Sequence, residues 1–484
     1  MRTPSPRTQA WPLGPHRPNA PMMSVGWLLS LGLLALPGLA RAQFFDVFGA
    51  GARSQGMAGA VGALTADPMA VFHNPAGLAD GPPVLQLGFG GAFNRSSILL
   101  NARPAGYDPP DYAELPARGD TVEPPGTAGI LLGYSMRVFS EDLTFGALLF
   151  VPFEGFASMN GHFGDETEQY FTNRLHFELM GDRLDSEAIA FGLGYRLRPW
   201  LSMGIGMSVL MGANVTAPVY VPNATELTEV DIEARVRTQT ARALSGGVIA
   251  RPVENLRVAV AFQDEISLRI NGISELQIRG DEEEGLVNQR LDLVTSFTPI
   301  RVTGSVAWVD EERFTVTLES TWRAWSRYVD NHNQPAGFED TFDAKAAVEW
   351  PVAERTFARA GFVYTPSPVP DQTGRTNYVD NDRLGFAFGA GSELRLWDLD
   401  LSVDVALQVQ SLLTRSVKKQ ALARHPDCAD GVSALCDEVP DQAEDTPLLR
   451  AAETQGLQTG NPGFPGFVHG GYLVAASVDF KWKF

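Results

Sequence analysis

The chain has 484 residues, 44% of them hydrophobic, and a formal net charge of -19, with a mean hydropathy of -0.07. Such a surplus of carboxylates argues against nucleic acid or an anionic lipid surface as a partner. After position 42 no apolar run reaches the roughly 18 residues of a membrane-crossing helix. That leaves a large soluble β protein or a barrel whose hydrophobicity is hidden by alternation.

The first segment sets the compartment. Arg2, Arg7 and Arg17 precede an apolar stretch over residues 25–39, and Ala40, Arg41 and Ala42 form the small-x-small pattern of a cleavage site. Residues 1–42 therefore read as a signal peptide, cut before Gln43, and the protein as exported. Residues 43–83 do not alternate. Gly49, Gly51, Gly56, Gly59 and Gly62 make this stretch too small-sided to cover a membrane face, while Phe44, Phe45, Phe48, Val71 and Phe72 are more aromatic than a loose tail requires.

From residue 84 onward the chain reads as alternating strands. Leu399, Leu401, Val403, Val405, Leu407 and Val409 share one parity, with Asp400, Ser402, Asp404, Gln408 and Gln410 on the other, so a strand here has one apolar and one wet face. The same pattern marks residues 85–93, 130–136, 189–195, 201–209, 256–262, 300–308, 314–322, 342–350, 384–388 and 472–484. Short polar turns at 140–142, 198–199, 252–254, 310–312, 351–354 and 397–398 alternate with long polar connections at 103–125, 160–185, 216–233, 272–292, 330–340, 366–382 and 415–469. A sandwich has no reason to enforce that rhythm, whereas an outer-membrane barrel has short periplasmic turns and long extracellular loops. Six short turns and seven long loops predict an all-β fold, a fourteen-stranded antiparallel transmembrane barrel over residues 84–484, with 43–83 as a plug.

One strand departs from the alternation. Within residues 143–156, Leu148, Phe150 and Pro152 on one parity are as apolar as Leu149, Val151 and Phe153 on the other. In a barrel with a polar interior, a strand greasy on both faces meets an apolar lumen locally. Pro152 also removes a ladder donor and weakens the wall there. At the other end of the chain, Phe480, Trp482 and Phe484 share one face and suit the interfacial girdle.

Enzymatic and metal chemistry find no support. The histidines, His16, His73, His162, His176, His332, His425 and His469, are scattered without nucleophile or metal-ligand spacing. Cys428 and Cys436 lie in one polar segment and form a possible local disulfide if the compartment is oxidising. The run Asp281, Glu282, Glu283 and Glu284 reads as a solvated loop, with cation bridging to lipopolysaccharide as the alternative. No metal and no cofactor are expected.

Residues 49–60, reading GAGARSQGMAGA, then Asp67 and the run Asn74, Pro75, Ala76, Gly77 and Leu78 resemble the N-terminal hatch of the FadL family. These are outer-membrane transporters of long-chain fatty acids and other hydrophobic compounds. Residues 361–364, 367–371 and 380–383 are similar to the segment joining two late strands of that family, and 462–464 to the approach to its last strand. The resemblance spans the whole mature chain. It implies a monomeric barrel in the bacterial outer membrane, among outer-membrane lipid and lipopolysaccharide, with passive uptake through an apolar pocket and sideways release through a kink in the third strand. It also implies that Phe44, Phe45 and Phe48 contact the ligand, and that Asn74, Pro75 and Ala76 form the turn anchoring the hatch. Many acidic residues in the long loops point away from carboxylate ligands and leave neutral hydrophobes open. Two other readings stand beside transport: a surface shuttle in protein secretion, as in barrels similar to this family, and a general porin.

Overall fold

A computed structural model describes residues 43–101, 127–153, 188–210, 214–222, 229–238, 240–279, 285–310, 312–329, 335–372, 377–396, 399–418 and 466–484. The expected signal peptide, Cys428 and Cys436, the acidic run 281–284 and residues 462–464 lie outside the described residues.

The first half of the strand succession is β1 (Val84–Leu100), β2 (Thr127–Arg137), β3 (Leu143–Pro152), β4 (Ala188–Arg198), β5 (Leu201–Leu210), β6 (Asn214–Pro222), β7 (Glu229–Thr238), β8 (Ala241–Val253) and β9 (Leu256–Gln263). It continues with β10 (Ile266–Arg279), β11 (Gly285–Thr298), β12 (Arg301–Asp310), β13 (Phe314–Arg323), β14 (Thr341–Ala353), β15 (Thr356–Thr365), β16 (Arg383–Leu396), β17 (Leu399–Lys418) and β18 (Gly466–Lys483). Fourteen of these close a barrel in the order β1-β18-β17-β16-β15-β14-β13-β12-β9-β8-β5-β4-β3-β2. Antiparallel pairing of β1 with β18, from Val84↔Lys483 to Leu100↔Phe467, makes the closure, so the barrel has no free edge.

Alternation sorts the side chains. In β13, Thr315, Thr317, Glu319 and Thr321 are buried, while Phe314, Val316 and Leu318 between them are exposed. Ile205, Leu244, Val260, Phe342 and Phe388 extend the exposed apolar band around the barrel, the face that lipid covers. Aromatics gather at the short-turn end, where exposed Tyr195, Trp200, Trp308, Phe314 and Trp350 flank the turns. Tyr134 stacks on the last residue, Phe484, with ring centroids 6.2 Å apart.

The long connections 216–233 and 272–292 are not simple polar loops. They contribute to β6, β7, β10 and β11, which form a four-stranded sheet in the order β11-β10-β7-β6 beside the barrel strands. Their composition is polar but their period is two: Val230, Ile232, Ala234 and Val236 alternate with Asp231, Glu233, Arg235 and Arg237. Topology then brings them together. Because β8 and β9 are barrel neighbours, the excursion before β8 and the one after β9 rise side by side, and β7 pairs with β10 from Ile270↔Thr238 to Arg279↔Glu229.

Among the described residues, three short helices, α1 (Gln43–Phe48), α2 (Ala52–Gly56) and α3 (Ala70–His73), and a 3-10 turn, η1 (Pro75–Asp80), precede the barrel. Met57, Ala60, Val61, Leu64 and Ala76 of this segment form one buried cluster with Ile249, Ala259, Ala307 and Ala347 of the barrel. Small residues on both sides allow the backbones to approach closely.

Candidate functional site

β3 presents an apolar inner face. Leu148 is 3% and Phe150 1% exposed on the inward parity. Phe150 meets Phe45 of α1 edge to face at 5.1 Å between centroids, and Phe45 in turn meets Phe72 of α3 at 5.7 Å. Three residues expected from the sequence, Phe45, Leu148 and Phe150, are therefore buried, two of them in direct ring contact. Phe48 is also buried. Phe44 belongs to α1, but its side chain lies outside the described residues, as does that of Pro152. Phe153 is 62% exposed, because it shares the outward parity of Val151, and so stands apart from the inner group.

β2 and β3 stay in register as far as Gly129↔Pro152, and the Phe153 amide still donates to the Ala128 carbonyl at 2.8 Å. The register of β3 with β4 is described up to Leu149↔Ile189, next to residues 154–187, which lie outside the described residues.

Asn74, Pro75 and Ala76 form a buried turn. The Asn74 side-chain oxygen accepts from the Ala76 amide at 3.1 Å, capping η1. Its amide nitrogen donates to the Gly62 carbonyl at 3.2 Å and to the Val248 carbonyl of β8 at 3.4 Å. Pro75 fills the first position of η1, where no amide donor is needed. A Cβ at Gly204 would overlap the Pro75 carbonyl, and one at Gly247 the Asn74 side chain, so glycine on the wall is what lets the turn seat.

A chain of charges links the segment to the opposite wall. Asp67 accepts from Lys481 at 2.6 Å, Lys481 lies 3.2 Å from Asp404, and Asp404 2.7 Å from Arg359. Arg359 reaches Glu349 at 2.5 Å, and Glu349 returns to Arg53 at 2.9 Å. Burial pushes the Asp67 carboxyl up, but the Lys481 ammonium and its hydrogen bond outweigh that and hold it below its ordinary value. Asp479 adds a further tie by accepting from the Ala52 amide at 2.6 Å and from Gln86 at 2.8 Å. Asp404 and, within the alternating run 472–484, Asp479 and Lys481 lie on the polar parity, but nothing local says with which charges of residues 43–83 they pair.

Most described residues of the connection between β15 and β16 are buried or half-buried rather than solvated. Val369, Tyr378, Val379, Asp380 and Asn381 are each less than 5% exposed. Arg415 donates to the Val369 and Pro370 carbonyls at 2.7 Å each, and Asp382 accepts from the Ser367 amide and the Tyr364 hydroxyl at 2.8 Å each. Val379 packs with Ile98, Leu100, Val417 and Phe467. Tyr378 packs with Phe297, Trp325, Tyr328 and Phe338. This segment therefore ties β1, β17 and β18 to the far side of the mouth.

The sequence profile of the outer membrane protein transport protein family (OMPP1/FadL/TodX) matches residues 33–435. The chain belongs to this family. Solved structures agree on the fold. A Pseudomonas aeruginosa FadL homologue superposes with a TM-score of 0.59 at 15% identity, over 90% of this chain and 98% of that one. The P. putida toluene transporter TodX gives 0.53 at 14% identity, over 91% and 99%. CymD, a monoaromatic hydrocarbon channel, gives 0.51 at 14% identity, over 91% and 99%. No curated protein sequence matches significantly. As a FadL/TodX family member, the protein is an outer-membrane transport barrel, in keeping with its exposed apolar band and closed strand order.

Proposed function

We propose that the protein takes up hydrophobic compounds passively across the outer membrane, with residues 43–83 as the plug and release through the barrel wall beside the end of β3. The observation that carries this reading is the apolar inner face of β3, Leu148 and Phe150, with Phe150 in ring contact with Phe45 of the N-terminal segment. Strands such as β13 and β17 are polar on the inward parity, as in Thr317, Glu319, Gln408 and Gln410, and an apolar solute has more reason to follow the greasy stretch. That TodX is a toluene transporter and CymD a monoaromatic hydrocarbon channel favours neutral hydrophobes over fatty acids as the substrate. The plug role rests on contacts with strands on all sides of the barrel, among them Asp479 of β18, Glu349 of β14 and Val248 of β8.

Uptake of a labelled hydrocarbon by cells carrying Pro152→Ala tests the exit. The replacement returns a backbone donor to the strand end, and uptake should fall several-fold at equal surface level. Unchanged uptake would remove the wall route, and steady ion conductance in planar bilayers would favour a porin instead.

A further inference from the structure

α1 is six residues long, and Asp46 is its one charged side chain. So short a helix has no stability of its own, and its placement rests on what its side chains meet. Successive residues of a helix point about 100° apart, so Phe45 and Asp46 serve different walls. Phe45 meets Phe150 of β3, whereas Asp46 pairs with Arg301 of β12. In the closed strand order β9, β8, β5 and β4 separate β12 from β3. α1 is therefore held between two distant parts of the wall.

Arg301 reaches the aromatic pair by a second way. Its guanidinium lies over the Phe72 ring, 4.4 Å from the centroid, and donates to the Phe72 carbonyl at 3.4 Å and to the Gln263 side-chain oxygen of β9. One wall residue thus holds α1 through Asp46 and α3 through Phe72, the two helices whose rings, Phe45 and Phe72, meet edge to face. The neighbouring charges offer Arg301 no replacement for Asp46. A small polar cavity between α1, α3 and β12 to β15 is lined by three cations, Arg301, Arg323 and Lys345, and three carboxylates, Asp46, Glu319 and Asp343. Glu319 is engaged by Lys345 at 3.0 Å and Asp343 by Arg323 at 3.2 Å. Withdrawal of α1 leaves Arg301, which is 8% exposed, without its carboxylate, and a buried cation is costly in that state.

Resting on the transport reading above, we infer that Arg301 is the positioning residue of the passage. Its pair with Asp46 holds Phe45 and Phe72 against Phe150 from across the lumen, and release of that pair opens the way along β3. The barrel keeps its shape while α1 moves.

Uptake of radiolabelled toluene by cells carrying the full protein at equal surface level, with cells lacking it subtracted, tests this together with amide hydrogen exchange of the purified protein in lipid nanodiscs. Asp46→Asn and Arg301→Gln should each raise uptake several-fold. The double variant should rise no further than the larger single effect, since both changes remove one pair. Arg301→Lys, which keeps a cation for Asp46, should stay within about twofold of the unaltered protein. In Asp46→Asn the Gly49 amide, which donates to the Phe45 carbonyl at 2.8 Å, should exchange several-fold faster, while the Leu64 and Gly77 amides keep their rates. Faster exchange at all three would mean a general loosening of residues 43–83 and would overturn the inference. So would unchanged or reduced uptake in both single variants, with transport by the unaltered protein left standing. Should Arg301→Gln not reach the membrane, Asp46→Asn, which leaves the barrel sequence intact, decides alone. Uptake by neither the unaltered protein nor any variant would overturn the transport reading as well.

Discussion

Phe45 and Phe150 meet edge to face at 5.1 Å, one from the segment ahead of the barrel and the other from the inner face of β3. Both rings are almost fully buried, so a solute passing β3 has to part them. Phe45→Ala removes this contact and that with Phe72, each aromatic pair being worth about 0.5–1.5 kcal/mol beyond its buried area. Uptake of a labelled hydrocarbon should rise several-fold, with a lower melting temperature. Phe45→Leu, which keeps most of the volume, should leave uptake within about twofold of the unaltered protein, as volume-conserving apolar exchanges disturb packing least. A loss of uptake in both would make Phe45 a ligand contact rather than an obstruction.

Glu349 holds Arg53 and Arg359 together at 2.9 and 2.5 Å. Glu349→Gln keeps the shape and removes the charge from a mostly buried chain of ion pairs, at a cost of about 3 kcal/mol. Limited proteolysis should then release residues 43–83 from folded protein, while heat-modifiable gel migration shows the barrel intact. Unchanged protection would mean that the charged chain does not hold the segment.

Asn74 serves η1 and the wall at once, and two substitutions separate the roles. Asn74→Asp keeps the acceptor for the Ala76 amide but loses the donors to Gly62 and Val248. Asn74→Ala loses everything, the cap alone being worth about 1 kcal/mol. Thermal melts should rank unaltered protein above Asp and Asp above Ala. Equal melting of the Asp and unaltered proteins would reduce Asn74 to a cap.

His73 makes a signed prediction for acid. Burial, then Lys345 and Arg301, hold its folded pKa down at about 3, whereas the unfolded chain protonates near 6.5. Between those values the unfolded state binds more protons, so stability falls as pH drops below about 6.5, by at most about 1.4 kcal/mol per unit. Asp380 works the other way. Burial, opposed by Arg383, lifts it to about 6, so the native state binds more protons between about 4 and 6. His73→Gln removes only the first contribution. Its melting temperature should therefore fall less than that of the unaltered protein between pH 7 and pH 5, and parallel losses would show that His73 does not titrate in this window.

Much of the barrel was legible in the sequence because alternation is local. Each residue of β13 or β17 declares its face by its own polarity, and the short turns declare the rhythm of the wall. The unusual strand was legible for the same reason, since Leu148 and Phe150 break the polar parity. Composition misled at 216–233 and 272–292, where charged residues on one parity disguised strands as loops.

What the sequence determined by itself was the number of barrel strands and the lipid-facing parity of each. Tertiary structure alone decided that β7 joins β10, that Phe45 reaches Phe150, that Phe153 faces away, and that Lys481 serves both Asp67 and Asp404. These relations join residues far apart in the chain, and their geometry follows from barrel closure and strand register rather than from any neighbouring residue. The balance of three cations against three carboxylates around the cavity belongs to the same class, since its members come from α1, β12, β13 and β14.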